Sequence, residues 1–168
     1  RDAGNDLPVV FTIHNVEYQG KYGPETVEDL FGLNRGWYDG GILRMDGCVN
    51  LMKGAMLTAN AVTTVSPTYA AQLHDPAYAC GLEQVVHLID YKLSGVLNGL
   101  DTESYDPAHD GSLPRTFDPD HMEGKAVCKA ELQRQLGLAQ EPDTPLMAIV
   151  SRLVGHKGMD LVTDALHG

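Results

Sequence analysis

Two cations near the end of the sequence have the spacing and the setting of an anion site. Arg152 and Lys157 lie in the segment S-R-L-V-G-H-K-G, which follows an apolar run and precedes an amphipathic segment of helical character. A helix N-terminus offers unpaired N–H groups, arginine can bind two phosphate oxygens at once, and lysine adds a mobile charge. The segment therefore predicts a phosphate or diphosphate site, although two surface cations at such a spacing are more often only solvated.

Polar residues also follow two predicted strands earlier in the sequence. His14 and Asn15 come directly after the apolar run 7–13, and Asn98 and Gly99 follow the run L-S-G-V-L. Imidazole can donate or accept a hydrogen bond near neutral pH, so His14 is suited to contact a sugar hydroxyl or a developing charge. The residues alone leave two plainer interpretations open: a hydrogen-bonded core histidine at position 14, and a simple Asn98-Gly99 turn.

The elements that must position these residues predict an α/β fold with a parallel sheet. Apolar, β-rich runs typical of buried parallel strands alternate with segments of helical character. The predicted strands are 7–13, 61–65, 93–97 and 146–150, and the predicted helices are 49–57, 68–73, 82–89, 123–136 and 158–166. The stretch 18–47, rich in glycine and aromatic residues, is predicted to be an irregular loop with short helical turns. Ligands of such sheets bind beyond the carboxyl ends of the strands, where His14, Asn98 and Arg152 lie.

Composition excludes several classes of protein. The 168 residues include 43% hydrophobic and 21% charged residues, which is ordinary for a globular protein. The net charge of −11 argues against a nucleic-acid partner, and no apolar run approaches the length that spans a membrane. Three widely spaced cysteines, Cys48, Cys80 and Cys128, indicate free thiols in a reducing cytoplasm.

Several catalytic motifs are absent from the sequence. The histidines form no H-E-x-x-H pair, so no metal site is predicted, and no cofactor is expected. The glycine-rich dinucleotide and P-loop motifs and the G-x-S-x-G motif of serine hydrolases are also missing. The acidic cluster Glu25, Glu28 and Asp29 fits an exposed face better than a catalytic pair.

Four separated blocks, in the same order, resemble bacterial glycogen synthases and the related starch synthases. They are F-T-I-H-N-V-E-Y-Q-G (11–20), N-L-M-K-G-A-M-L-T-A-N-A-V-T-T-V-S-P-T-Y-A (50–70), S-G-V-L-N-G-L-D (94–101) and V-S-R-L-V-G-H-K-G-M-D-L-V (150–162). The resemblance implies a two-domain GT-B-like architecture of doubly wound parallel sheets. Residues 1–100 would be the end of the first domain, 101–122 a connector, and 123–168 the start of the second, nucleotide-binding domain.

The resemblance also implies a reaction and a set of site residues. Glucose would pass from ADP-glucose, with retention of configuration, to the non-reducing end of an α-1,4-glucan, without a metal. His14 would lie against the donor glucose, and Arg152 and Lys157 would bind its diphosphate as the catalytic cations. The implied substrate-binding set is Asn15, Asn98, Gly99, Arg152 and Lys157.

The resemblance further implies that the chain holds only part of an active site. The family's N-terminal K-x-G-G-L loop and its C-terminal glutamate region have no match here, so the segment is expected to be inactive alone and to self-associate through exposed strand edges. Two alternatives stay open. One is another GT-B glycosyltransferase, and the other is a non-catalytic module that binds a nucleotide sugar or a glucan.

Overall fold

The computed structural model describes residues 7–167 and their side chains as far as Leu166. The chain divides into two compact units between Gly99 and Leu100. The predicted domain limits, 1–100, 101–122 and 123–168, remain predictions.

Residues 7–99 alternate short strands and helices. In chain order the elements are β1 (Val10–Ile13), β2 (Lys21–Tyr22), α1 (Thr26–Asp29), α2 (Gly36–Asp39), β3 (Arg44–Met45), β4 (Cys48–Asn50), α3 (Leu51–Thr58), β5 (Ala61–Thr64), α4 (Pro67–Gln72), α5 (Pro76–Ala79), α6 (Glu83–Ile89), a 3₁₀ turn (Asp90–Lys92) and β6 (Leu93–Gly95).

The main sheet of this unit is parallel, as the sequence predicts, with the strand order β1-β5-β6. Ile13 of β1 pairs in register with Thr64 of β5, and Thr64 pairs with Gly95 of β6. Because these are the last residues of the three strands, the carboxyl ends lie level at one edge of the sheet. The segments that follow the strands therefore leave from the same edge.

One face of this sheet packs on helices α3, α4 and α6. The core is made of aliphatic and methionine side chains from the strands, the helices and the residues that flank them, namely Ile13, Val16, Met52, Met56, Ala59, Val62, Leu73, Leu82, Val85, Val86 and Ile89. Helix α4 begins where the Ser66-Pro67 pair predicts: the Ser66 side chain accepts a hydrogen bond from the Tyr69 amide, and Pro67 occupies the first helical position.

Strand β1 is less buried than the sequence predicts. Its apolar run suggests a strand covered on both faces, but Val10 is 63% exposed and only Ile13 of the strand is fully buried. Among the described residues β1 pairs only with β5, so it is an edge strand. An unpaired, apolar edge of this kind supports the expected self-association, which stays a prediction.

The stretch 18–47 contains the short helices α1 and α2, as expected, but also part of a small sheet that the sequence analysis missed. Strands β2, β4 and β3 form an antiparallel sheet in that order. The predicted helix from Val49 was wrong at its start, because Cys48–Asn50 is strand β4 and α3 begins at Leu51. The reason is Asn50, whose side chain caps α3 by accepting from the Lys53 amide and also donates to buried Gln19 at 2.7 Å.

Residues 100–167 form two α-helices, α7 (Glu123–Gln135) and α8 (Met159–His167), the second preceded by a 3₁₀ turn (Gly155–Lys157). Helix α7 is closed, as predicted, by Gly137, which follows the C-cap Leu136 and has φ +67°. The amides of Gly137 and Leu138 bond back to Arg134 and Gln133 in a Schellman motif.

The predicted strand 146–150 does not form. Met147 is 88% exposed and Val150 fully exposed, and the segment has no regular structure. An extended segment becomes a strand only when a neighbour takes its backbone hydrogen bonds. The described residues of this unit contain no other strand with which 146–150 could pair.

Three further observations concern the cysteines, membrane-spanning helices and metal sites of the described residues. All three cysteines are free thiols. No helix within residues 7–167 has the length and apolar character needed to cross a membrane. Over the same residues, no group of three or more side chains is arranged to hold a metal ion.

Gly95→Ala is expected to destabilise the protein by about 3 kcal/mol or more, since overpacking against backbone is not easily relieved. A Cβ at Gly95 would lie 2.1 Å from both the carbonyl carbon and oxygen of Ser66 and 2.2 Å from the nitrogen of Pro67. Urea unfolding followed by circular dichroism measures the loss. Gly99→Ala is the matched control, because a Cβ there meets nothing within 4 Å. Equal unfolding midpoints for the two variants would contradict the packing argument.

Candidate functional site

His14 lies directly beyond the carboxyl end of β1, where the sequence places it. Its side chain is exposed, whereas Ile13 before it is fully buried. Within the described part of the chain the imidazole is therefore not a core side chain. An exposed imidazole at the carboxyl edge of a parallel sheet is in a position to meet a ligand.

The backbone segment 13–18, which we call the His14 turn, is held by hydrogen bonds from three side chains. The Thr64 hydroxyl donates to the Ile13 carbonyl at 2.8 Å, the Tyr69 hydroxyl accepts from the Val16 amide at 3.3 Å, and the Asn15 side chain accepts from the Glu17 amide at 2.9 Å. The turn is thus fixed on both sides of His14. The side-chain oxygen of Asn15, which accepts from the Glu17 amide, therefore has a local structural role.

Asn98 and Gly99 follow β6 and so leave from the same sheet edge as His14, with β5 between. The Val96 amide donates to the Thr64 carbonyl at 2.8 Å, which continues the sheet ladder past Gly95. Beyond it the backbone has no turn, both residues are exposed, and the φ of Gly99 is not positive. The interpretation as a simple turn was wrong, because the backbone of residues 96–100 forms neither a turn nor a bend.

Arg152 and Lys157 lie in the second unit on a short loop that includes a 3₁₀ turn. The Val154 amide donates to the Arg152 carbonyl at 3.0 Å, and the Lys157 amide donates to the Val154 carbonyl at 3.0 Å. Gly158, with φ +70°, then turns the chain into α8 at Met159. The predicted helix after the cations is present, and the predicted strand before them is not.

The charge of this loop is opposite to that of the chain as a whole. The sequence has 23 acidic and 12 basic residues, yet residues 150–159 include Arg152 and Lys157 and no carboxylate. Both side chains are exposed. A local cationic loop before a nine-residue helix can attract a phosphorylated ligand even in an acidic protein.

The sequence analysis did not find the residues that fix the His14 turn. Ser66-Pro67 predicts where α4 begins, but not that Tyr69, in its first turn, reaches back to Val16. The signal available was the alternation in A-V-T-T, which turns Thr64 toward the interior at the last position of β5. A buried hydroxyl at a strand end needs a partner, and here that partner is the carbonyl before His14.

Comparison with known proteins shows that the chain is similar to starch synthases and glycogen synthases. The family model described as the starch synthase catalytic domain matches residues 1–88. The glycogen synthase of Streptococcus agalactiae is 44% identical over 164 residues, covering 98% of this chain and 34% of that protein. The glycogen synthase of Streptococcus equi subsp. zooepidemicus is 47% identical over 160 residues, covering 95% of this chain and 34% of that protein.

A solved structure extends the comparison to the fold. The catalytic domain of starch synthase IV from Arabidopsis thaliana, bound to ADP and acarbose, matches with a TM-score of 0.87 and 35% identity over 95% of this chain and 33% of that chain. The likeness confirms the predicted fold class, an α/β chain of the GT-B type, whose described residues contain one parallel sheet. The chain belongs to the starch synthase catalytic domain family. It spans about a third of the length of the relatives that it matches.

Proposed function

We propose that this chain is an internal part of a retaining glucosyltransferase of the glycogen and starch synthase type. The reaction transfers glucose from ADP-glucose to the non-reducing end of an α-1,4-glucan. The observation that most supports this is the likeness to a plant starch synthase whose structure holds ADP and acarbose, at a TM-score of 0.87. ADP corresponds to the product of the donor, and acarbose resembles a short glucan.

The proposed roles follow from the chemistry of each side chain. The bond between the anomeric carbon and the diphosphate breaks, the anomeric carbon bonds to the acceptor's 4-hydroxyl oxygen, which loses its proton, and negative charge builds on the departing ADP. Arg152 and Lys157 bind that diphosphate, because preorganised cations stabilise a developing charge most effectively. His14 contacts the glucose, and Asn15, Asn98 and Gly99 line the sugar pocket. The scheme needs no metal and no cofactor.

The proposal also covers the compartment of the reaction, its partners and the activity of the isolated segment. We place the reaction in the cytoplasm, with no membrane and no nucleic acid as partner. Because the chain spans about a third of its relatives, the isolated segment is proposed to lack transferase activity. Catalysis belongs to the full-length protein of which this chain is a part, here called the parent protein.

A transfer assay with the parent protein tests the proposal. Radiolabelled ADP-glucose and glycogen are incubated with the parent protein and, separately, with the 168-residue chain. We expect label in glycogen only with the parent protein. Label transferred only to another acceptor would favour a different GT-B glycosyltransferase. Binding of ADP-glucose or glucan with no transfer to any acceptor would favour a non-catalytic module.

A further inference from the structure

Two hydroxyl groups bracket His14 from a single neighbouring segment of the fold. Thr64 ends β5 and donates to the Ile13 carbonyl at 2.8 Å, and Tyr69 in α4 accepts from the Val16 amide at 3.3 Å. These backbone groups lie one residue before and two residues after His14. The position of the His14 turn is therefore tied to the segment 64–69 at two points.

The surroundings make these two bonds hard to replace. Ile13, Val16 and Thr64 are each at most 3% exposed. Water has little access to the polar groups that they carry, so losing a protein partner leaves a buried group unsatisfied. Without these bonds the backbone at His14 is expected to shift toward an arrangement in which its polar groups find another partner.

The segment that holds the turn is itself held by close contacts. The Ser66 side chain accepts from the Tyr69 amide at 2.9 Å, which fixes the first turn of α4. Gly95 brings the end of β6 against the backbone of Ser66 and Pro67, closely enough that no side chain fits between them. Tyr69 therefore has a defined position from which to set the His14 turn, whereas the imidazole of His14 is exposed.

We propose that Tyr69 is a positioning residue: its hydroxyl, acting with that of Thr64, holds the His14 turn so that the imidazole meets the donor glucose. This inference rests on the proposed function, because positioning of His14 by Tyr69 affects glucose transfer only if His14 contacts the sugar. Tyr69 itself touches the backbone of the turn and is not assigned a contact with substrate. A displaced catalytic group can lower a rate strongly even when substrate binding is retained.

The competing explanation is that the two hydroxyls only stabilise the fold. A stabilising role predicts that removing the Tyr69 hydroxyl affects activity equally whether or not an imidazole is present at position 14. A positioning role predicts that the effect disappears once the imidazole is gone. A double-mutant cycle separates these two explanations.

Glucose transfer by the parent protein is measured for the wild type, Tyr69→Phe, His14→Ala and the double variant. We expect Tyr69→Phe to lower kcat about 10-fold, with KM for ADP-glucose and Kd for ADP within about twofold of the wild type. In the His14→Ala background the same change is expected to alter kcat by less than about twofold. Tyr91→Phe is the matched control, because Tyr91 is 83% exposed and lies just before the amino end of β6, at the opposite sheet edge.

Each result decides for or against the inference. An equal fall in kcat in both backgrounds would overturn it, as would an unchanged kcat for Tyr69→Phe. If wild-type transfer is normal and His14→Ala leaves kcat unchanged, the role of His14 in the proposed function fails, and the positioning role falls with it. If Tyr69→Phe does not fold, Thr64→Val is measured in its place, with the same expected dependence on His14.

Discussion

Replacing Arg152 and Lys157 together by alanine in the parent protein is expected to lower kcat/KM for glucose transfer by about 10⁴-fold. Loss of a single preorganised donor to a developing oxyanion costs about 10²- to 10³-fold, and here two cations are removed from one diphosphate. The affinity for ADP is expected to fall about 100-fold, because the ground-state diphosphate loses the same two contacts. Isothermal titration with ADP and initial rates with ADP-glucose measure the two effects.

Arg134→Ala is the control for this pair. Arg134 is an exposed cation of the same unit, but it is paired with Glu131 at 2.6 Å, and its hydrogen bonds help to lower the pKa of Glu131 to about 2. Its removal changes the net charge without touching the 150–159 loop, so ADP affinity is expected to stay within about twofold. An unchanged ADP affinity in the double variant would show that the loop does not bind the diphosphate.

His14→Ala is expected to lower kcat about 10²- to 10³-fold while ADP affinity stays within about threefold. The imidazole is assigned to the glucose end of the donor, so its loss weakens the transition state and leaves the nucleotide contacts in place. Rates at saturating ADP-glucose and ADP titrations separate the two quantities. His87→Ala is the matched control, because His87 is also an exposed histidine of the first unit and lies on α6.

Two outcomes would contradict this assignment. One is a normal kcat with a raised KM, which would make the imidazole a contact formed equally in the ground state and the transition state. The other is a large loss of ADP affinity, which would place His14 at the nucleotide rather than at the sugar. A fall in kcat for His87→Ala of similar size would point instead to a general effect of histidine loss on stability.

The parts of the fold that local signals determine could be predicted from the sequence. Ser66-Pro67 marks the start of α4, and Gly137 marks the end of α7, because capping and left-handed backbone depend on a few neighbouring residues. The apolar run before His14 likewise predicts that the histidine follows a parallel strand. Candidate residues at strand ends were therefore accessible without a structure.

The parts that depend on distant partners could not be predicted in this way. Residues 146–150 have the composition of a buried strand, but Leu146 is only half-buried and 147–150 are exposed, since no neighbouring strand is present among the described residues of that unit. The small sheet β2-β4-β3 depends on pairs such as Lys21 with Asn50, which no local pattern reveals. The contact between Tyr69 and the Val16 amide joins residues 53 positions apart. The ends of α4 and α7 followed from short-range chemistry, whereas the pairing of strands and the contacts that hold the His14 turn did not.

A crystal structure of the parent protein with ADP-glucose, or with ADP and a glucan fragment, tests the central claim most directly. The account predicts that the guanidinium of Arg152 and the ammonium of Lys157 lie within about 3.2 Å of diphosphate oxygens, and that the imidazole of His14 lies within the same distance of a glucose hydroxyl. A bound donor whose diphosphate is held by other residues, with His14 away from the sugar, would contradict it.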